Sequence, residues 1–160
     1  MNDSSTTKGM SWLFKILDYY LKILDWLYAY LFPVFMLGVR LWMAKIFWYS
    51  GLTKLDDWNS TIFLFQYEYQ VPVLSAKWAA CLSTSFELLC PVLLVLGLAT
   101  RLATLPMLAM TAVIQLTYMD LIDHYYWGIL LSLILLYGPS KIAIDAKIKQ
   151  YFIKRQVKLS

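Results

Sequence analysis

Three ionisable side chains lie inside long apolar stretches of the sequence, where charge is costly. Arg40 and Lys45 fall in one stretch, and Glu87 falls in another. A charged side chain at the centre of a membrane helix costs about 2.5–3.5 kcal/mol on insertion scales, so each one needs a partner or a function. These residues are therefore the first candidates for chemistry.

The three charges are predicted to lie at similar depths in two antiparallel helices. With a rise of 1.5 Å per residue, Arg40 lies roughly 13 Å into its span, Lys45 roughly 21 Å, and Glu87 roughly 16 Å along the other span. We therefore predict that Glu87 pairs with Arg40 or Lys45. Such a pair either takes part in proton chemistry or only locks two helices together, and both readings stay open.

Pro91 follows Glu87 by four residues. Because proline has no N–H, a helical proline leaves the carbonyl four residues earlier without its donor. Such backbone is tolerated in membranes where it faces protein or a water-lined cavity. The spacing predicts a small polar site that faces the interior of the helix bundle, with an ordinary proline kink as the alternative.

A second set of polar residues flanks the apolar stretches. Its members are Lys54, Asp56, Asp57, Asp120, Asp123 and His124. One histidine with two aspartates in a turn is a weak metal signature without a second histidine. We predict no metal site and expect a solvated turn with a capping acid.

Cysteine spacing and the absence of known motifs argue against an intrinsic redox cofactor. Cys81 and Cys90 lie about 13 Å apart on opposite faces of one predicted helix, too far to form a disulfide. The sequence has no CxxC motif, no phosphate-binding glycine loop and no second histidine for haem ligation. We predict no cofactor that the chain holds by its own motifs.

The elements that carry these residues follow from composition. Hydrophobic residues make up 61% of the 160 residues and charged residues 15%, against about 45–50% and about 25% in soluble domains. This balance excludes a soluble globular protein, a disordered chain and a disulfide scaffold. We predict an all-α polytopic membrane bundle of four helices, each near the roughly 20 residues that cross a bilayer. The spans are 31–53, 76–98, 102–119 and 124–138.

The N-terminal segment differs from the spans in charge pattern. Residues 1–10 form a polar tail that lacks the apolar core of a signal peptide. Residues 11–30 carry Lys15, Asp18, Lys22 and Asp25 at spacings of three and four, on one helical stripe. This pattern predicts an interfacial amphipathic helix. A longer, tilted first span is the alternative.

The basic residues are distributed unevenly along the chain. Most of the fourteen Lys and Arg residues lie in the N-terminal segment, at Arg101, or in a basic tail at 141–160. By the positive-inside rule, both termini are expected in the cytoplasm. The net charge of +4 is then a signal for topology and lipid headgroups, and we predict no nucleic-acid partner. The aromatic link 54–75 is expected to fold back onto the helix ends as a cap.

Five short stretches form an ordered series of motifs. They are Arg40–Leu41 with Ser50–Gly51–Leu52 and Lys54; Pro72; Glu87 followed by 96–103 with Gly97 and Arg101; His124 with Trp127; and 138–145 ending at Asp145. This series, spread over residues 38–146, resembles the DoxX family of small membrane proteins. Ser140 and Ala143 depart from it, since the family pattern favours Gly and Ser there.

The resemblance implies a four-helix bundle in the cytoplasmic membrane. Family members include the small subunit of an archaeal thiosulfate:quinone oxidoreductase and proteins tied to oxidative-stress complexes. The expected function is therefore that of a membrane subunit in a quinone-linked or oxidative-stress redox complex. The alternative is a non-enzymatic assembly or scaffold factor that docks a partner protein. Arg101 and Asp145 match the family pattern, but a topology anchor and a helix cap explain them without chemistry.

Five residues are expected to serve the implied quinone site between the first two spans. Glu87 is predicted to take up or release a proton and Arg40 to hold its charge, which makes them the catalytic candidates. Lys54, Lys45 and His124 are the predicted quinone-binding residues, with His124 as a pH-sensitive donor. The predicted partners are the lipid bilayer and a partner protein subunit, and self-association stays open.

Overall fold

Helices form nearly all of the described chain. The structure, a computed structural model, describes residues 4–71, 74–117, 121–139 and 143–159. The helices are α1 (Ser4–Trp26), α2 (Phe32–Asp56), α3 (Trp58–Leu64), α4 (Ala76–Leu96), α5 (Thr100–Thr117), α6 (Ile122–Tyr137) and α7 (Ile144–Leu159). Two π-helical turns, Leu27–Leu31 and Phe65–Tyr69, follow α1 and α3. No strand occurs among these residues, so the predicted all-α class is confirmed.

The chain divides into two compact units, Met1–Phe35 and Met36–Ser160. In the first unit α1 begins at Ser4, earlier than the predicted helix at 11–30. Lys22 and Asp18, two residues of the predicted charged stripe, form an exposed ion pair at 2.6 Å. The position of α1 in a membrane interface stays a prediction.

Two described helical stretches, Trp12–Asp56 and Ala76–Leu96, are long and apolar enough to cross a membrane. Ile122–Tyr137 is apolar but shorter. α4 ends at Leu96 rather than at residue 98 because Gly97 adopts a left-handed conformation, with φ of 68°, that ends helices. The predicted topology of four spans stays a prediction, and the end of the third span, at 119, lies outside the described residues.

The second unit buries several polar side chains and exposes many large apolar ones. Its fully buried residues include Arg40, Glu87, Thr100 and Thr104. Large apolar side chains exposed on its helices include Trp42, Leu89, Leu102, Leu105, Ile129 and Leu136. A soluble domain rarely buries charged residues and exposes few large apolar patches. The outer surface of these helices is therefore suited to lipid.

Contacts among α2, α4, α5 and α6 form the interior of the second unit. α5 packs against both α4 and α6. Phe47 of α2 lies 6.2 Å from Trp127 of α6 between ring centroids, and Gly51 of α2 lies against Leu88 of α4. These contacts place the side chains that project from α2 and α4 in one shared interior.

The link after α2 folds back, as its aromatic composition predicts. α3 and its π-helical turn contact α4, and the turn also contacts α5. Phe65 of the turn packs with Ala79 and Ala80 of α4, and Trp58 and Tyr69 cover this cluster. The link therefore forms a wall beside the first half of α4.

Candidate functional site

A buried ion pair joins α2 to α4. Lys54 Nζ donates hydrogen bonds to Glu87 Oε1 at 2.8 Å and Oε2 at 2.7 Å. The Lys54 side chain is 12% exposed and the Glu87 side chain 3%. Because charge-assisted hydrogen bonds to both oxygens satisfy the carboxylate, the pair can persist away from water.

Two serine side chains form hydrogen bonds with this ion pair. Ser50 Oγ accepts a hydrogen bond from Lys54 Nζ at 3.0 Å, and Ser83 Oγ donates one to Glu87 Oε1 at 3.3 Å. Each serine lies one helical turn before the charged residue that it contacts. Neither serine was among the predicted site residues, although an i, i+4 spacing from each charge is a signal that finds them.

Gly51 allows the two helices to approach at the pair. A Cβ atom at this position would lie 3.2 Å from Glu87 Cβ and 2.9 Å from Leu88 Cδ2. Both distances are shorter than ordinary van der Waals contacts between carbon atoms. The close approach of α2 to α4 therefore depends on glycine at position 51.

The predicted pairing of Glu87 with Arg40 or Lys45 is wrong. α2 continues to Asp56, so Lys54 lies within the helix and its flexible stem reaches along the helix to Glu87. Lys45 is exposed and lines a groove between α2 and α4 whose lining does not include Glu87. Arg40 lies nearly four turns before Lys54 and contacts the far end of α4.

Arg40 binds the C-terminal end of α4. Its Nε donates to the Leu94 carbonyl at 2.9 Å, and Nη2 donates to the carbonyls of Leu94 and Val95. Arg40 is 1% exposed, and its Nη1 has no hydrogen-bond partner within the described part of the chain. The last carbonyls of a helix lack intrahelical donors, so a buried guanidinium there stabilises the helix end.

Asp145 binds the other side of the same α4–α5 turn. Its carboxylate accepts hydrogen bonds from the backbone amides of Ala99 at 2.8 Å and Thr100 at 2.9 Å. The Asp145 amide in turn donates to the Gly97 carbonyl at 3.0 Å. Asp145 thus caps the start of α5, whereas the sequence suggested a cap for the tail helix. Ser140 and Lys141 of the same motif lie outside the described residues.

His124 lies in a separate environment on α6. Its Nδ1 is 3.1 Å from Gln115 Oε1 of α5, and its ring meets Trp127 with centroids 4.9 Å apart. These residues belong to a different helix pair from Lys54 and Glu87. Asp120 lies outside the described residues, and within those that are described no three His, Cys, Asp or Glu side chains gather as a metal site.

An apolar cavity of about 220 Å³ is lined in part by Ser83, the serine that hydrogen-bonds to Glu87. Its walls come from the π-helical turn after α3, from α4 and from α5, and include Phe65, Tyr69, Phe86, Ala109 and Met110. Ser83 lines this cavity, and its hydroxyl donates to Glu87. The interior charge and the apolar cavity are therefore connected by one side chain.

A buried ion pair among helices with apolar outer surfaces defines an α-helical membrane protein with a polar interior site. The family model named DoxX matches residues 35–120, more than half of the chain. The chain belongs to the DoxX family. No curated protein and no solved structure is significantly similar to it. The matched range contains Arg40, Lys54 and Glu87 but ends before His124 and Asp145.

Proposed function

We propose that the chain is the membrane subunit of a quinone-linked redox complex of the cytoplasmic membrane, and that Lys54 and Glu87 are its proton-exchange site. The observation that carries this proposal is the connection between the buried pair and the apolar cavity through Ser83. Membrane quinones need an apolar environment for the ring and a proton source beside it. The apolar lining of the cavity suits the ring, and Glu87, hydrogen-bonded to Ser83 in that lining, is the proton source.

Glu87 is the residue that holds the exchangeable proton. Its Oε1 atom receives hydrogen bonds from both Lys54 and Ser83, so a proton on this oxygen replaces one of these contacts. Lys54 retains Ser50 as an acceptor when Glu87 is neutral. The pair can therefore exist as an ion pair or as a neutral acid beside a cation, as proton storage requires.

Lys54 provides the connection between Glu87 and the end of α2. Its side chain is less buried than that of Glu87, and Lys54 lies in the last turn of α2. Protons from the aqueous side reach Glu87 along this side of the helix pair. Arg40, bound to the carbonyls of α4, has a positioning role because it keeps α4 in register with α2.

The redox chemistry itself belongs to the quinone and to a partner. A bound quinone accepts two electrons and two protons when it is reduced to the quinol, and an oxidoreductase subunit docked to the chain supplies the electrons. In this arrangement both termini lie in the cytoplasm, and the basic helix α7 lies on the same side.

The experiment compares quinone-dependent turnover in native membranes from strains with Glu87→Gln, Lys54→Met and Lys45→Met. We expect the first two variants to lose at least tenfold in rate, since each removes one member of the pair. Lys45→Met, a change to an exposed lysine on the same helix, is the matched control and should retain the normal rate. Normal turnover in Glu87→Gln at normal protein level would refute the proposal.

A scaffold function is the second candidate, and α7 is the observation that favours it. This helix exposes Ile148, Tyr151 and Phe152 together with Lys147 and Arg155. Basic and aromatic side chains of this kind suit docking to an acidic protein surface. If Glu87→Gln has no effect while Tyr151→Ser and Phe152→Ser abolish maturation of a copurifying protein, the scaffold function replaces the first proposal.

A further inference from the structure

We infer that the cavity between the π-helical turn after α3, α4 and α5 binds the ring of a membrane quinone, with Ser83 donating a hydrogen bond to a ring oxygen. This inference rests on the proposed function, because it names the ligand position beside Glu87. It places the quinone on the α4–α5 side, whereas the sequence suggested a site between the first two spans.

The side chains that line the cavity suit a flat apolar ligand. Phe65, Phe86 and Met110 line it, and Ser83 and Tyr69 are the lining residues with a polar group in the side chain. The volume of about 220 Å³ is below the roughly 300–1,000 Å³ of sites that enclose a whole drug-sized ligand. A ring fits this space while its apolar tail extends into the lipid along the exposed Leu82.

The Ser83 hydroxyl is weakly held in the structure and is therefore free to turn. Its distance to Glu87 Oε1 is 3.3 Å, whereas hydroxyl hydrogen bonds to oxygen are usually near 2.7–2.8 Å. Its other neighbour is the Met110 sulfur at 3.5 Å, and a thioether is a weak acceptor. Glu87 keeps both bonds from Lys54 if Ser83 turns away. A ring oxygen in the cavity is a better acceptor for this hydroxyl.

The groove between α2 and α4 is the rival site, and its lining does not include the ion pair. This groove has a volume of about 470 Å³ and is lined by residues that include Lys45, Trp48, Tyr49 and Pro91. Neither Lys54 nor Glu87 lines it. A quinone there would have Lys45 as its charged neighbour and no side chain that connects it to Glu87.

The test is photolabelling of the full-length protein in lipid nanodiscs with an azido-substituted decylbenzoquinone. Excess unlabelled decylbenzoquinone identifies specific labelling, and peptide mass spectrometry locates it. Two variants of α5 place a new ring in different grooves. Ala109→Phe fills the inferred cavity, whereas Ala112→Phe places the same ring in the groove beside His124. Both alanines are exposed, so neither change overpacks a core.

We expect specific labels on the peptides that contain Phe86 or Met110. Ala109→Phe should lower this labelling at least tenfold, and Ala112→Phe should leave it within twofold. Ser83→Ala, which removes only a hydroxyl, should weaken competition by decylbenzoquinone about fivefold to tenfold, the loss expected for one neutral hydrogen bond. Because Ser83→Ala keeps the contacts of Lys54, it tests the inference even where a phenylalanine variant fails to fold.

Labelling at Trp48 or His124, or equal losses in both phenylalanine variants, would overturn the inferred position. The proposed function would survive that result if Glu87→Gln still abolished quinone-dependent turnover. Absence of any labelling that decylbenzoquinone displaces would overturn both the inferred position and the quinone site of the proposed function.

Discussion

Arg40 and Asp145 act on opposite sides of one turn. Arg40 donates to the carbonyl of Leu94 at the end of α4, and Asp145 accepts from the amide of Thr100 at the start of α5. The two charges also attract each other electrostatically. The pair therefore fixes the connection between α4, which carries Glu87 and Ser83, and α5, which forms a wall of the apolar cavity.

Substitution of Arg40 should therefore destabilise the helix bundle without removing a reacting group. Arg40→Met leaves the α4 carbonyls unpaired, and hydrogen bonds to charged groups contribute about 1.5–3 kcal/mol each. We expect a lower unfolding temperature in detergent, with quinone-dependent turnover reduced only in proportion to folded protein. Asp145→Asn, which retains one acceptor, should have a smaller effect. A folded Arg40→Met protein with no turnover would show that Arg40 has a direct chemical role.

The contribution of the Lys54–Glu87 pair to the unfolding free energy should be separable from its contribution to turnover. Lys54→Met leaves a buried carboxylate unpaired, and removal of one partner of a buried pair costs about 3–5 kcal/mol. The double variant Lys54→Met/Glu87→Leu replaces both charges with apolar groups, so it should recover most of the unfolding free energy yet remain inactive. Denaturant unfolding and turnover on the same preparation measure this. An active double variant would mean that the pair only holds α2 and α4 together.

Gly51 and Gly38 lie in the same helix and differ in surroundings. A Cβ at Gly38 meets no atom within 4 Å, whereas one at Gly51 contacts Leu88 and Glu87. Alanine is favoured over glycine inside a helix by about 1 kcal/mol, so Gly38→Ala should be neutral or stabilising. Gly51→Ala should be less stable than Gly38→Ala by at least about 1 kcal/mol. Equal thermal unfolding of the two variants would contradict the close approach of α2 and α4 at this point.

Asp57 provides a pH-dependent cap for α3. Hydrogen bonds from the Ser60 hydroxyl and amide to the carboxylate lower the pKa of Asp57. A lowered folded-state pKa stabilises the fold at pH values above the ordinary 3.8, and this stabilisation is lost as the pH falls below that value. Hydrogen exchange of the Ser60 amide should therefore accelerate in acid relative to Asp57→Asn, which keeps an acceptor but does not titrate. Parallel pH profiles for the two proteins would contradict this assignment.

Composition and hydropathy were sufficient to predict the helical class and the residues whose burial is costly. Glu87 stands out from its sequence neighbours because one acid in an apolar run needs compensation, and the structure places it in the interior. The partner was predicted wrongly because a count of helix rise does not give the register between two helices. Glu87 lies level with Gly51 of α2, so Lys54, three residues further along, is within reach and Arg40 is not.

Other features depend on contacts between distant parts of the chain. Asp145 caps residues more than forty positions earlier, so its local sequence indicated only a helix start. The serine contacts, in contrast, are local, since Ser50 and Ser83 each precede a charged residue by one helical turn. The apolar cavity depends on how the aromatic link packs beside α4 and α5, which hydropathy does not specify.

Reaction-induced infrared spectroscopy of the complex is the most direct test of proton exchange at Glu87. Spectra recorded before and after quinone reduction should contain a carboxylic acid band that changes with reduction, and this band should be absent in Glu87→Gln. The same band should stay unchanged in Lys45→Met, which alters an exposed lysine of α2, the helix that carries Lys54. An identical band in Glu87→Gln would contradict the assignment of proton exchange to Glu87.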